Sequence, residues 1–340
     1  MIERRITLER LACFFMTARS VSDLKKRVLF AEELGFDTAG LPQIAARDPL
    51  TTLAAIAPAT NSIRLGTGIV PIWTRTPVAL AQEAAVVQEA AEGRFMLGIG
   101  TGHQMLVESW HGTKFERPLL AMREYLTILK RIFNEGSVDF QGEIFRTSFS
   151  FMGYQPPKVP IYIAALGPKM AQLAGEMADG VILWLSSPRH IKEVVIPNIE
   201  IGAKRAGRSM EDIEIFGCLF AAPTENRAAG RDAIRMQLLT YLQLPFYRAV
   251  MNASGFENDL IAFDAKMKEG LIYEALAALS DRLIDEIAAT GTPEQIAETL
   301  ERFVTAGCSM PGVGVVGGYD GYPGAEAALA SLTQAKALVG

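Results

Sequence analysis

Short apolar runs alternate along the chain with segments of helical periodicity. The strand-like runs are residues 11–16, 38–41, 63–70, 95–99, 161–165, 181–185, 213–220 and 313–316. They are apolar almost throughout rather than alternating, the pattern of parallel strands covered on both faces. The helices between them begin where proline follows a capping residue, at Asp48-Pro49, Thr76-Pro77, Ser187-Pro188 and Thr292-Pro293. Proline at the first helical position gives up no needed N–H, and the preceding side-chain oxygen takes up a free donor. Ser20-Val-Ser-Asp23 reads as a further capping box, and Gly35, Gly93, Gly136 and Gly307 stand where C-terminal caps belong. Over residues 118–134, Leu119, Met122, Leu126, Leu129 and Phe133 form one stripe, that of a helix packed on a sheet. Eight strands alternating with helices predict an α/β fold, a (β/α)8 TIM barrel. The runner-up is a doubly wound open sheet, disfavoured because no GxGxxG follows the first strand.

Two stretches break the alternation. Residues 135–160 carry Val138-Asp-Phe-Gln-Gly-Glu-Ile-Phe-Arg146, which reads as a hairpin excursion. Residues 224–289 form a long, mostly helical insertion after strand seven, rich in Met236, Tyr241, Phe246, Tyr247, Met251, Phe256, Phe263 and Met267. That content suits a helical subdomain core and equally a lid over the barrel mouth or a dimer surface. The whole chain, 1–340, thus reads as a single barrel domain with these two insertions.

Composition narrows the class. The chain is 49% hydrophobic and 21% charged, which supports a large core and excludes a disordered chain. Its net charge is -5 with no basic block, so nucleic acid is not an expected partner. No apolar run approaches the ~18 residues of a membrane span, and residues 1–10 hold no apolar signal segment. The expected location is cytoplasmic. Cys13, Cys218 and Cys308 lie far apart in apolar runs, which argues for a reducing compartment over a disulfide scaffold. With His103, His111 and His190 as the only histidines and no HxxxH or CxxC spacing, no metal site is expected.

In such a barrel the chemistry sits at the carboxyl ends of the strands. The loops there are Gly66-Thr-Gly-Ile-Val-Pro71 with Ile72-Trp-Thr-Arg-Thr76, Gly98-Ile-Gly-Thr-Gly-His103, Ala164-Ala-Leu-Gly-Pro-Lys-Met170, and Trp184 with Ser186 and Ser187. Glycine lets backbone approach a ligand closely, although it also serves tight turns. Gly167-Pro-Lys-Met170 opens a helix, whose free N–H groups favour an anion such as phosphate. Lys169 adds a positive charge there or points to solvent. His103 can position or protonate a substrate, or serve as a packing histidine; His111 is a weaker candidate. No nucleophile elbow and no close carboxylate pair stand on these loops, so a hydrolase is disfavoured. Few acid–base groups beside an anion site suit a cofactor that carries the chemistry itself.

Taken in order, several segments resemble the bacterial luciferase-like oxidoreductases. They are Ala31-Glu-Glu-Leu-Gly-Phe-Asp37, Ile63-Arg-Leu-Gly-Thr-Gly-Ile69, Thr76-Pro-Val-Ala-Leu-Ala81, Gly93-Arg-Phe-Met-Leu-Gly-Ile-Gly-Thr-Gly102, Val159-Pro-Ile-Tyr-Ile-Ala-Ala-Leu-Gly-Pro-Lys-Met170, Ala178-Asp-Gly180 and Gly291-Thr-Pro-Glu-Gln295. The Gly-Pro-Lys-Met loop and the Gly-Thr-Gly before His103 look closest to the deazaflavin (coenzyme F420)-dependent methylenetetrahydromethanopterin reductases. The resemblance implies a flavin-type ring in the barrel mouth, held by Thr67, Gly68, Ile69, Gly100, Thr101, Gly102, Leu166, Gly167, Pro168, Lys169 and Met170, with its phosphate at 167–170. It implies a non-prolyl cis peptide at Gly68-Ile69, backing the ring, and a homodimer. Two positions depart from that branch. Phe14 stands where a strand-one Glu is usual, and Gln43-Ile44 where an Asp-His pair is usual. Those groups handle protons around the pterin, so the substrate is left open. Phe14, Gln43, Trp73 and Trp184 are the expected substrate pocket, and His103 the expected catalytic residue.

The expected function is hydride transfer between coenzyme F420 and a small organic substrate. The alternatives are an FMN-dependent luciferase-like monooxygenase, served by a flavin reductase partner, and a non-catalytic flavin-binding protein.

Overall fold

The computed structural model describes residues 8–16, 18–316 and 324–339. Eight parallel strands close on themselves: β1 Ala12–Phe14, β2 Thr38–Leu41, β3 Arg64–Thr67, β4 Phe95–Gly100, β5 Ile161–Ala164, β6 Gly180–Trp184, β7 Glu214–Pro223 and β8 Met310–Val315. Each pairs with the next, and β8 pairs back to β1, so the expected barrel is present and no edge is left open within it.

The interior is filled by large side chains laid over glycines of neighbouring strands. Phe14 covers Gly40, Met96 covers Gly66, Tyr162 covers Gly180 and Phe216 covers Gly312. This is why the strands are glycine-rich as well as apolar. An inward methyl at any of these positions would meet a ring or a thioether at less than contact distance. The amino end is closed by a polar plug. Glu214 accepts from Tyr162 Oη at 2.6 Å and from Arg64 at 3.0 Å, and also pairs with Arg10. Arg10 in turn grips Asp37 at 2.7 Å.

The helices start as the sequence predicts at all four Pro sites, and the Asp48, Thr76 and Ser187 oxygens accept from the Thr51, Ala79 and His190 amides. At Thr292 the backbone amide instead donates to Gln295 Oε1. Ser20 caps Asp23, but the Asp23 carboxylate bonds the Arg19 amide rather than closing the box on Ser20. Gly35, Gly93, Gly136 and Gly307 all take positive φ. The stripe over 118–134 becomes the helix Pro118–Glu135, which buries Met122, Leu126, Leu129 and Phe133.

Several boundaries differ from expectation, and β7 runs on to Pro223, three residues past its expected end. The run 63–70 is not one strand: β3 stops at Thr67, and a separate piece, Val70–Pro71, resumes pairing with β4. The last strand begins at Met310, three residues early. A strand Ala288–Gly291, unforeseen in the sequence, pairs with the carboxyl half of β7, where β6 has already ended.

The excursion at 135–160 is the antiparallel hairpin Ser137–Gln141 with Arg146–Ser150. The Glu124 carboxylate holds its turn by accepting from the amides of Glu143, Ile144 and Phe145. The stretch 224–289 contains the helices Arg227–Tyr241, Pro245–Ala253, Glu257–Lys268, Ile272–Ala277 and Asp281–Ile287. They share one core, including Leu238, Tyr247, Met251, Phe256 and Phe263, which continues into Leu185 and Phe220 at the barrel mouth. Met236 and Phe246 are exposed instead. Among the described residues no helix is long and apolar enough to cross a membrane.

Candidate active site

The carboxyl ends of β3 to β6 lie side by side through the pairings β3–β4, β4–β5 and β5–β6, so the loops chosen from sequence are neighbours. After β3 the backbone steps out of the ladder. Thr67 Oγ1 both donates to the Gly98 carbonyl and accepts from the Gly98 amide, each at 2.7 Å, so its hydroxyl is spent in joining β3 to β4. The Gly68 amide then turns to the Leu41 carbonyl, and the Gln43 amide donates to the Ile69 carbonyl, both at 2.9 Å. Gly98 must lack a side chain here, since a Cβ would lie 2.7 Å from the Gly68 oxygen.

The expected cis peptide at Gly68-Ile69 is not found: among the described residues every peptide is trans. The physical reason is visible in those two bonds. The trans backbone satisfies its groups against the β2 side, whereas a non-prolyl cis bond costs ~2.5–4 kcal/mol. The bulge still presents Ile69 to the barrel interior, with its Cδ1 3.4 Å from where a Gly100 Cβ would stand.

After β4, Gly100-Thr101-Gly102 leads to His103, with Gly102 at φ +65°. After β5, Gly167 is the N-cap residue of the helix Pro168–Met177, and no side chain caps it. The first amide taken up by the helix is that of Ala171, bonded to the Gly167 carbonyl at 3.0 Å. Pro168 has no N–H, so Lys169 and Met170 offer the free donors. Leu166 is half-buried, while Gly167, Pro168 and Lys169 are exposed. A Cβ on Gly167 would meet nothing within 4 Å, so open space faces the helix start. The helix itself is fixed tightly from behind. Gly175 and Gly202 let it press on the helix Ile196–Ala206, where a Cβ on Gly202 would sit 2.7 Å from the Gln172 carbonyl carbon.

The walls are aromatic. Trp184 stands edge-on to Phe220 at 4.8 Å and 6.2 Å from Tyr241 of the insertion. Trp73 tilts against Phe115 at 5.5 Å. The Trp73 indole nitrogen is buried without a partner, while the Trp184 indole hydrogen-bonds the Tyr241 side chain. Phe14 is 6% exposed and stacks at 5.3 Å on Phe216, so it belongs to the barrel filling beneath the mouth rather than to a free wall. Gln43 is held by Arg75, which donates to its Oε1 at 2.7 Å. Arg75 is itself neutralised by Glu83, at 2.6 Å, and by Asp48.

His103 is half-buried, with Nδ1 sealed from solvent and unpartnered, and its ring lies 5.7 Å from Tyr247. Burial holds its pKa below the ordinary histidine value. His111 is exposed at the far end of the same helix, Gln104–His111, away from this contact. His190 was not singled out from sequence. It is 3% exposed and hydrogen-bonds the Leu166 backbone, at the edge of the loop after β5. Burial pushes its pKa down to about 4. No local signal marked it, because its partner lies 24 residues away along the chain.

The strand ends thus carry an uncapped helix start at Gly167, the glycine-rich loop 100–102 leading to His103, and the tryptophans Trp73 and Trp184. None of the side chains named as walls is charged.

The luciferase-like monooxygenase family model matches residues 6–310. The chain is 29% identical over 294 residues to the 5,10-methylenetetrahydromethanopterin reductase of Archaeoglobus fulgidus, covering 85% of this chain and 88% of that relative. The structure resembles the coenzyme F420 dependent tetrahydromethanopterin reductase of Methanopyrus kandleri, with a TM-score of 0.81 at 22% identity, over 96% of this chain and 98% of that one. It also resembles the oxygenating constituent of 3,6-diketocamphane monooxygenase of Pseudomonas putida, solved with FMN, with a TM-score of 0.70 at 18% identity and 98% of each chain covered. A family match over nine-tenths of the sequence places this chain in the luciferase-like monooxygenase family of oxidoreductases.

Proposed function

We propose that the whole chain acts as one coenzyme F420-dependent oxidoreductase on a small organic substrate. The observation that carries this reading is the uncapped helix start at Gly167, open on its ligand side and next to the Gly100-Thr101-Gly102 loop. The likeness to the Archaeoglobus reductase supports the choice of cofactor.

In this reading the amides of Lys169 and Met170 bind the phosphate, and Gly102 and Thr101 add contacts from the adjacent loop. Ile69 backs one face of the ring. Bound there, the deazaflavin supplies hydride chemistry. The chain's own residues orient the two reactants and exclude water. Trp73 and Trp184 wall the substrate side, and Trp73 offers its N–H to a substrate oxygen or nitrogen. His103, neutral at pH 7, holds or accepts a proton at Nδ1.

A second reading is an FMN-dependent monooxygenase with a separate flavin reductase. It draws on Phe14 and Gln43, which leave strand one and the loop after strand two without the acid and imidazole of the reductases.

Equilibrium titration of the purified protein with coenzyme F420 and with FMN tests both. The expected outcome is tighter binding of F420. A marked preference for FMN transfers the assignment to the monooxygenase. Binding of either without turnover of its reduced form leaves a flavin-binding protein.

A further inference from the structure

We propose that Tyr247, carried by the helical insertion, is a positioning residue for His103, so that the insertion completes the site instead of merely covering it. The proposal rests on the reading of His103 as the proton-handling group.

His103 is poorly held by its own loop. It occupies the N-cap position of the helix Gln104–His111 yet makes no capping bond, and its Nδ1 is buried without a partner. The contact that fixes its ring comes from outside the barrel. Tyr247 packs on it at 5.7 Å and 56°. Tyr247 is buried in the insertion core, and Tyr241 meets it edge-on at 5.0 Å and 89°. Tyr241 then reaches Phe220 at 5.9 Å and Trp184 at 6.2 Å. Rings thus run without a break from the loop after β4, through two insertion residues, to the ends of β6 and β7.

No ion pair assists the imidazole. Glu108 on its own helix is engaged by Gln104 and by the Phe115 amide. Arg248, on the helix that bears Tyr247, is tied to Asp264 and the Leu242 carbonyl. Tyr247 and Tyr241 are pushed up by burial and stay uncharged. Burial is the cause that holds His103 below its ordinary value, and on this proposal the sealing of the imidazole falls to the Tyr247 ring packed on it. An insertion that moved away would readmit water and raise the proton affinity of His103.

The three histidines make the test direct. Imidazole NMR titration of histidine-labelled protein should show His103 titrating below the ordinary ~6.5 in the parent. In Tyr247→Ala its midpoint should rise by roughly half a unit or more, and in Tyr247→Phe, which keeps the ring, it should stay at the parent value. The exposed His111 is the internal reference. An unmoved midpoint in folded Tyr247→Ala overturns the proposal. Should that variant not fold, the parent decides: a His103 midpoint at or above ~6.5, or no cross-relaxation between the His103 and Tyr247 rings, overturns it. The pH profile of turnover separates the two readings. If the His103 midpoint rises in Tyr247→Ala but the acid limb of kcat/KM does not follow, the positioning stands and the catalytic assignment of His103 fails.

Discussion

Gly167 and Lys169 sit two residues apart, and the site gives them unequal weight. Gly167 faces open space, so a larger side chain fits the folded protein but occupies the volume in front of the free amides. Gly167→Val should keep its circular dichroism and melting temperature. It should lose about tenfold or more in F420 affinity, the scale of one lost hydrogen bond to a charged group. Lys169 is exposed, and Lys169→Ala should cost ~0–1 kcal/mol, about fivefold at most. If folded Gly167→Val binds cofactor like the parent, the phosphate belongs on another loop. His190 makes a second residue-scale case. Its pKa is depressed from 6.5 to about 4, so the unfolded chain binds a proton that the folded one rejects. Its stabilising contribution is therefore complete above pH ~6.5 and is lost as pH falls through about 4, on the order of 3 kcal/mol in all. Melting temperature followed across that window should fall on acidification, and the slope should be shallower in His190→Gln. Equal slopes in both proteins would show that His190 is not buried neutral.

At the scale of elements, tight helix packing sets where the proposed anion site points. The helix Pro168–Met177 is pressed against Ile196–Ala206 through Gly175 and Gly202, with main chain where a Cβ would fall. Gly202→Val should force the pair apart, costing about 1–3 kcal/mol by overpacking and shifting the Gly167 end with it. Urea unfolding should show the lower midpoint. F420 titration of the folded variant should show weaker binding although no ligand-facing residue has changed. Unaltered affinity would mean that the helix start is held by its own loop. Such close approaches also explain what the sequence could and could not disclose. Apolar runs and Pro-led caps marked all eight barrel strands to within three residues at either end. The run 63–70 misled because Gly68-Ile69 is apolar on both sides of the break. Only the bonds to Leu41 and Gln43 reveal a bulge there. The strand Ala288–Gly291 was hidden because Ala-Ala-Thr-Gly has no β-branched or aromatic run, and pairing with β7 decides its state. Likewise the uncapped helix start at Gly167-Pro168 was legible as a local motif. The contacts Tyr247–His103 and His190–Leu166 were not, being made between distant segments.

For the whole molecule, the barrel separates stability from function along its axis. The carboxyl end holds glycines, the unpaired Trp73 indole and an uncapped helix, while the amino end is sealed by Arg10, Asp37, Arg64, Tyr162 and Glu214. Glu214 is the hub of that plug, with two guanidinium groups and one phenol on its carboxylate. Removing it leaves those donors facing the low-dielectric barrel floor. A fully buried pair broken in this way loses about 3–5 kcal/mol, and partial exposure lowers the expectation to roughly 2–3 kcal/mol, since the Arg10 side chain is 37% exposed. Glu214→Ala should therefore lower the denaturation midpoint substantially. Yet F420 affinity and turnover per folded molecule should match the parent, because β7 runs its length between Glu214 and the mouth. Glu214→Gln, which keeps hydrogen-bond capacity and loses the charge, should fall between the two in stability. Denaturation and cofactor titration on the same preparations decide the matter. Loss of affinity in folded Glu214→Ala would mean that the plug is coupled through the barrel filling of Phe14, Met96 and Phe216 to the slot above it.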